Sequence, residues 1–451
     1  MSSPPPALSA LKLSYADLVS PTFLASRGKR PAPPTGWGGA LATMALVPPL
    51  LLALSPLIAF SQLAARLRPA PAPARSLLPA VGSLPPVIPH ADREWDVVIL
   101  GATGFTGDLA LQYIMREYAG KGMKVAVAGR NGGKLQSKLL SAAEKSGCPD
   151  EFRDAIGRIV VDTGDGEQLA AMAKSARVVM STVGPFAVYG SGVVEACAVA
   201  GTHYCDITGE TQWVRENVLL LSGTAEKTGA KLVSLCGHDS IPWDLSTVML
   251  AKSMPAGEEL ESVAFADEIK SAPSGGTVAT LIDAIEGKTS RDMSAAAKFK
   301  GDPMNYGASD KKTRSVLPFN PFAPKESPLD GGKLGFFVMS AVNGDTVKRS
   351  VAGPSVKQQQ QGFLRVTGEA TGSKGTKVRS AFYFDVDPGY KDTSRMLAES
   401  AITLLEGGAD GVGGGVYTPG AAMPDMLLER LCKTGSAWAV EVEAPGARNK
   451  L

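Results

Sequence analysis

Between residues 95 and 236 the apolar positions come in short continuous runs. The first, Trp95-Asp96-Val97-Val98-Ile99-Leu100, stops at Gly101, and a helical spacing through Leu109, Ile114 and Met115 follows. A β-branched run of this kind is what a strand buried on both faces of a parallel sheet needs. Similar runs occupy residues 124–129, 157–162, 177–186 and 231–236, with helical spacings at 167–174 and 192–200. Strands alternating with helices predict an α/β fold, a Rossmann-type doubly wound parallel sheet over residues 92–245.

Beyond residue 245 the pattern changes. Residues 262–268 alternate like a strand exposed on one face, and residues 277–287 are helical after the hinge-like Ser274-Gly275-Gly276. Residues 301–333 are loop-rich. Residues 362–371 and 377–385 read as a hairpin across the turn 372–375. Helical spacing returns at 393–406 and 423–431, and a last strand at 438–442. Residues 246–451 are therefore expected to form a second, α+β domain for substrate or oligomerisation. Its sheet face would line a lipid-facing pocket or a homodimer interface, and the pattern does not choose.

Residues 1–91 form a Pro/Ala-rich apolar N-terminal extension in which Asp17 is the only acid before Asp92. Residues 41–60 carry no charge and are long enough to cross a bilayer. Pro48, Pro49 and Pro56 would break a simple spanning helix, while the flanking basic residues suit anionic head groups. Residues 69–89 read as a stiff, extended linker. The extension admits four readings: a membrane-associated hairpin or interfacial segment, a transit peptide for plastid or mitochondrion, a buried part of the fold, or a stretch misassembled into the sequence.

Composition narrows this only slightly. At 451 residues, 44% hydrophobic and 20% charged, the chain can bury ample core in two or three domains. A formal net charge of +2 gives no whole-chain case for nucleic acid. The five cysteines form no C-x-x-C pair, which points to a reducing compartment. With only His90, His203 and His238, no metal centre is expected.

The chemistry concentrates at the predicted strand ends. Gly101-Ala102-Thr103-Gly104-Phe105-Thr106-Gly107 carries the spacing G-x-x-G-x-x-G between a strand and a helix. In that context the glycines make a tight turn, admit a pyrophosphate and let helix and strand pack closely. A merely structural turn is the alternative. An NAD site would place an acid at the end of the second strand; here Gly129-Arg130 stands there, with Lys134 one turn on. Basic residues at that place suit a ribose 2′-phosphate, so NADPH is expected over NAD, with an exposed capping cluster as the alternative. Val183-Gly184-Pro185 ends the fourth strand beside the nicotinamide half. Among the polar side chains near these ends, which also include Tyr189, His203 and Asp206, the proposed proton-transfer residues are Tyr204, His238 and Asp239. Cys205 and Cys236 read as buried small residues, and Asp239-Ser240-Ile241-Pro242 as a capped helix start.

The ordered motifs GATGFTG (101–107), VGPFAVYG (183–190), GTHYCDITGE (201–210) and CGHDSIPWDL (236–245) resemble those of the saccharopine dehydrogenase-like oxidoreductases, in particular the trans-acting enoyl reductase-like members. The resemblance is strong over residues 95–280 and looser over 335–444, where Gly362-Phe363-Leu364-Arg365-Val366 and Gly414-Gly415-Val416-Tyr417-Thr418-Pro419 are the anchors. Three departures stand out. His238 sits where the family usually has Phe. The family's hydrophobic, basic-flanked segment before Gly362 is short and polar here, at 350–361, whereas a segment of that character lies at 15–73. Relatives also tend to begin near the first strand. The resemblance implies an NAD(P)-binding fold, oxidoreductase chemistry and links to lipid droplets, membranes and glycolipid or polyketide-lipid synthesis. Two functions follow from it. One is NADPH-dependent reduction of an enoyl or keto group in a lipid or lipid-linked substrate at a membrane or lipid-droplet surface. The other is a non-catalytic nucleotide-binding protein of such surfaces. An amino-acid substrate is a third option, weakened by the lack of evident carboxylate-binding arginines.

Overall fold

Each side chain of the first apolar run has a core to enter. In the computed structural model, which describes residues 7–29, 83–270, 325–326, 333–334 and 356–443, Val97 and Ile99 enter one core and Val98 and Leu100 the other. That two-sided burial is why the run is continuous rather than alternating. The strands are β1 (Trp95–Leu100), β2 (Val125–Gly129), β3 (Gly157–Val160), β4 (Ala176–Ser181), β5 (His203–Asp206), β6 (Lys231–Val233), β7 (Leu260–Lys270), β8 (Lys325–Glu326), β9 (Lys333–Leu334), β10 (Phe363–Gly372), β11 (Lys377–Phe384), β12 (Gly415–Tyr417) and β13 (Ser436–Glu443).

The first sheet is parallel throughout, in the order β3-β2-β1-β4-β5-β6-β12. The helices Phe105–Tyr118, Gly132–Ser146 and Thr393–Leu405 supply apolar side chains to one core, and Gly166–Ser175, Ser191–Ala200 and Thr211–Thr228 to the other. The expected doubly wound sheet is therefore present. At its base Arg93, 5% exposed, donates to the carbonyls of Ile88, Ala176 and Ala200 and to Thr202 Oγ1, which fixes where the chain enters β1.

The second sheet is antiparallel, in the order β13-β11-β10-β7, and its centre is the expected hairpin. Three features modify the expected pattern. The C-terminal segment crosses the expected boundary at residue 245 to complete the first sheet: β12 pairs with β6, and Met396, Leu397, Ala401 and Ile402 pack in the core of the first sheet. Residues 7–29, the described part of the extension, pack against the fold rather than standing apart from it: Leu8, Leu18, Phe23 and Leu24 are buried with Phe363, Ala381, Tyr383, Ala437 and Ala439 of the second sheet. The sixth strand is only three residues long, because Leu235 turns to a φ of 67° and leaves the extended region. Residues 41–60 and 277–287, and 301–333 apart from β8 and the first residue of β9, lie outside the described residues. Among those described, no helix is long and apolar enough to cross a membrane.

Candidate active site

The C-terminal edge of the first sheet carries the motifs. Gly101 has a φ of +92°, and a Cβ there would stand 2.6 Å from Thr182 Oγ1. A side chain on Gly107 would press into the Gly101 carbonyl. The turn is thus kept bare by Thr182 and Val183 at the end of β4 and by its own backbone. Gly104 N donates to Gly101 O at 2.9 Å and Asp108 N to Gly104 O at 2.9 Å, which starts the helix Phe105–Tyr118. The first-turn N–H groups of that helix have no partner within it, the arrangement that receives a phosphate. From the far segment, Ser394 Oγ donates to Thr106 O at 3.2 Å, and Phe105 meets Tyr390 edge-on at 5.3 Å.

At the end of β2, Arg130 and Lys134 are both exposed. Neither has an ion-pair partner among the described residues. Asn131, not either cation, caps the helix Gly132–Ser146 by accepting from Lys134 N at 2.9 Å. The two cations are therefore not consumed by capping.

After β4 the chain runs Thr182-Val183-Gly184-Pro185 into the short helix Phe186–Tyr189, with a cis bond between Gly184 and Pro185. The Glu210 carboxylate accepts from Phe186 N and Ala187 N, each at 2.8 Å. After β5, Asp206 is fully buried. Its Oδ1 accepts from Thr208 N at 3.0 Å and Leu235 N at 3.2 Å, and its Oδ2 from Ser234 Oγ at 3.0 Å. Burial pushes this carboxyl up to about 6, against the lowering effect of those hydrogen bonds. Asp206 thereby grips Leu235 in its left-handed conformation, a cost of about 1–3 kcal/mol for a non-glycine residue.

That turn delivers His238. The residue is 7% exposed, Nδ1 lies 3.1 Å from Asp239 Oδ1, and Nε2 is buried without a hydrogen-bond partner among the described residues. Its backbone N donates to Thr393 Oγ1 at 3.1 Å, and the ring meets Trp243 edge-on at 5.6 Å. Trp243 Nε1 in turn donates to Asp267 Oδ1 at 3.1 Å, on β7. His238 and Asp239 are thus together at the seam between the two sheets. With Asp239 holding the proton on Nδ1, neutral His238 offers Nε2 as an acceptor, and the protonated ring offers it as a donor.

Tyr204 does not share that seam. It is 0% exposed in the core on the other face of the sheet, and burial raises its phenol far above the ordinary range. The other candidates also sort by place. His203 begins β5 at the opposite edge, accepting from Lys231 N at 3.2 Å, with burial pushing it down to about 3. Tyr189 is exposed. Cys205 and Cys236 are free and buried, as expected, and burial raises the Cys205 thiol. The helix Ile241–Lys252 has Ser240 at its N-cap without a side-chain capping bond, and Asp239 is engaged with His238 instead. Glu210 stood in the dense run 201–210 but was not singled out as a site residue; its partners lie 24 and 23 residues away, so spacing carried no signal. Among the described residues no group of three or more His, Cys, Asp or Glu is placed to hold a metal ion.

Fold and strand-end site together define a dinucleotide-binding oxidoreductase. Residues 97–233 match the family model of the saccharopine dehydrogenase NADP-binding domain. A Mycobacterium tuberculosis H37Rv protein named as a trans-acting enoyl reductase is 30% identical over 416 residues, covering 76% of this chain and 96% of that protein. A trans-acting enoyl reductase of Mycobacterium bovis BCG is 29% identical over 423 residues, covering 76% and 97%. A looser likeness is to the solved structure of apo saccharopine dehydrogenase (L-Glu forming) from Saccharomyces cerevisiae, 14% identical, with a TM-score of 0.46 over 78% of this chain and 100% of that one. The chain belongs to the saccharopine dehydrogenase-like oxidoreductase family, and its cofactor is NADP(H). The residues fit that group: a bare glycine turn in which Gly101 and Gly107 leave no room for a Cβ, first-turn N–H groups beside it, and Arg130, exposed and without an ion-pair partner among the described residues, at the adjacent strand end.

Proposed function

We propose that the protein is an NADPH-dependent reductase of an enoyl or keto group in a lipid or lipid-linked substrate, working at a membrane or lipid-droplet surface. The observation that carries the catalytic part is the buried, partnerless Nε2 of His238 at the same edge as the glycine turn. The relatives' name, trans-acting enoyl reductase, supports the substrate class. The uncharged stretch 41–60 with its flanking basic residues supports the surface.

In this reading the 101–107 turn holds the pyrophosphate and Arg130, with Lys134 behind it, holds the 2′-phosphate. Val183, Gly184 and Pro185 border the nicotinamide half. The chemistry that bound NADPH supplies is hydride transfer. His238 donates the proton from Nε2, and Asp239 orients the ring through Nδ1.

The test uses the full chain. NADPH and NADH are titrated by nicotinamide fluorescence, with Arg130→Asp beside the wild type, and long-chain enoyl thioesters are then screened for NADPH oxidation. Arg130→Asp is expected to weaken NADPH at least about tenfold, the loss of a charge-assisted phosphate contact, and to leave NADH nearly unchanged. His238→Gln is expected to lower kcat about a hundredfold, the lower range for a lost general acid, without weakening NADPH. Equal affinity for both nucleotides would sink the 2′-phosphate assignment. Tight NADPH binding without turnover on any enoyl or keto lipid would favour a non-catalytic nucleotide-binding protein. Flotation with vesicles of anionic phospholipid checks the surface, and failure to float removes it.

A further inference from the structure

We infer that Glu210 is a positioning residue for the cofactor: its carboxylate sets the place of the 183–187 loop, and so the wall that meets the nicotinamide half. The inference rests on the reading of this edge as an NADPH site.

The carboxylate uses both oxygens on two successive N–H groups, Oε1 on Phe186 and Oε2 on Ala187, at 2.8 Å each. These are first-turn donors of a four-residue helix, which its own backbone leaves unpaired. The loop before them is anchored at Thr182, whose N donates to Leu100 O at 3.0 Å, and beyond it by Val188 N and Tyr189 N on Pro185 O. Pro185 has no N–H, and Val183 N reaches only Ser181 Oγ, at 3.4 Å. A charged acceptor on a backbone N–H is about twice as strong as a neutral one. Glu210 is therefore a two-pronged polar restraint on the stretch that would border the nicotinamide.

The carboxylate is itself held. Glu210 occupies the N-cap of the helix Thr211–Thr228, yet its side chain makes no bond to that helix. It reaches across to the neighbouring loop instead. Its backbone N donates to Thr208 Oγ1 at 3.0 Å, and Thr208 N donates to Asp206 Oδ1 at 3.0 Å. Asp206 is the buried group that grips the turn before His238. The two carboxylates of one short loop thus face opposite ways. Asp206 ties it to the β6 turn with His238, and Glu210 to the β4 loop. A misplacement of about 1 Å at such a site can cost about a hundredfold in rate.

A purely structural role for Glu210 makes a different prediction. Phe186 also packs on Trp213 at 5.7 Å between ring centroids, and Trp213 Nε1 donates to Ser191 Oγ at 3.0 Å. That buried contact keeps the loop folded without Glu210, so removing the carboxylate changes where the loop sits rather than whether it forms.

The experiment compares two ligands on the full chain: NADPH, and adenosine 2′,5′-bisphosphate, which has the 2′-phosphate but no nicotinamide. Glu210→Ala is expected to raise the NADPH dissociation constant about tenfold, a modest fraction of two charge-assisted hydrogen bonds, and to leave the bisphosphate unchanged. Glu210→Gln keeps one acceptor oxygen and is expected to recover part of the loss. Arg130→Asp is the contrasting control and weakens both ligands. The inference is overturned if Glu210→Ala binds both ligands like the wild type, or weakens both equally together with a lower Tm. A wild type that binds neither ligand would instead bring down the NADPH reading, and this inference with it.

Discussion

Asp206 shows what one buried carboxyl does to both stability and site. Its pKa is about 6 in the fold against an ordinary 3.8, because burial outweighs the bonds from Thr208, Ser234 and Leu235. The folded carboxyl holds its proton more tightly than the unfolded one, so unfolding releases a proton in this window. Its stabilising share is complete below about pH 4 and is lost as the pH rises through about 6. Two units correspond to about 3 kcal/mol. Asp206→Asn keeps an oxygen for Thr208 N and Leu235 N but cannot ionise. The stability of the wild type minus that of Asp206→Asn is therefore expected to fall by about 3 kcal/mol between pH 4 and pH 7. Urea titrations at both pH values measure it, and a difference that stays flat would show that the carboxyl is not ionising in the fold. The reach of such groups also explains what the sequence could not reveal. The glycine turn is readable because its spacing lies within seven consecutive residues, although the room at Gly101 is set by Thr182 and Val183 far along the chain. Asp206 meets Ser234 and Leu235 at separations of 28 and 29 residues, and nothing in its own neighbourhood announces them. Tyr204 failed as a candidate for the related reason that alternation along β5 turns it toward the helices.

At the scale of elements, strands with their own two-sided apolar runs were foreseeable, and the segment 7–29 was not. Its helices Tyr15–Val19 and Pro21–Ser26 are too short to be stable alone, so they form by lying on a sheet. The sheet residues that receive them lie more than 300 positions away: Arg27 pairs with Asp385, Arg365 donates to Leu18 O, and Lys29 donates to the carbonyls of Gln360, Gly362 and Asp385. Lys29 is only 9% exposed, and three carbonyls on one ammonium replace the water it gave up. The segment is thus a strap across β10, β11 and β13. Leu24, on the side of the strap that meets the sheet, is 1% exposed. Leu24→Ala is expected to destabilise the full chain by about 2–5 kcal/mol, as a core leucine does, and to shift the urea midpoint without changing the slope. A disposable leader would give no shift at all, so the midpoint decides whether the strap belongs to the working protein.

The same dependence on distant partners governs the whole molecule. An NADP-binding domain ending near residue 252 would look complete from its motifs, since it contains β1 to β6 in the expected order. The structure adds two pieces from the far segment: β12 along the free edge of β6, in the register Val416 to Leu232, and the helix Thr393–Leu405 over β1, β4 and β5. Met396, Leu397 and Ile402 of that helix are essentially unexposed. At about 1.5–3 kcal/mol for each buried side chain, these three alone contribute about 5–9 kcal/mol, comparable with the total stability of a domain. A fragment of residues 83–252 would leave that face and the β6 edge open to water and to other chains. It is expected to be aggregated or molten, with far-UV ellipticity but no cooperative melt. The full chain is expected to lose ellipticity and NADPH fluorescence at one Tm, since the helix Thr393–Leu405 and the second sheet share the core of the first sheet. A fragment that melts cooperatively and binds NADPH would show that the far segment only decorates the first sheet. Two separate transitions in the full chain would show that the sheets are joined more weakly than their shared core implies.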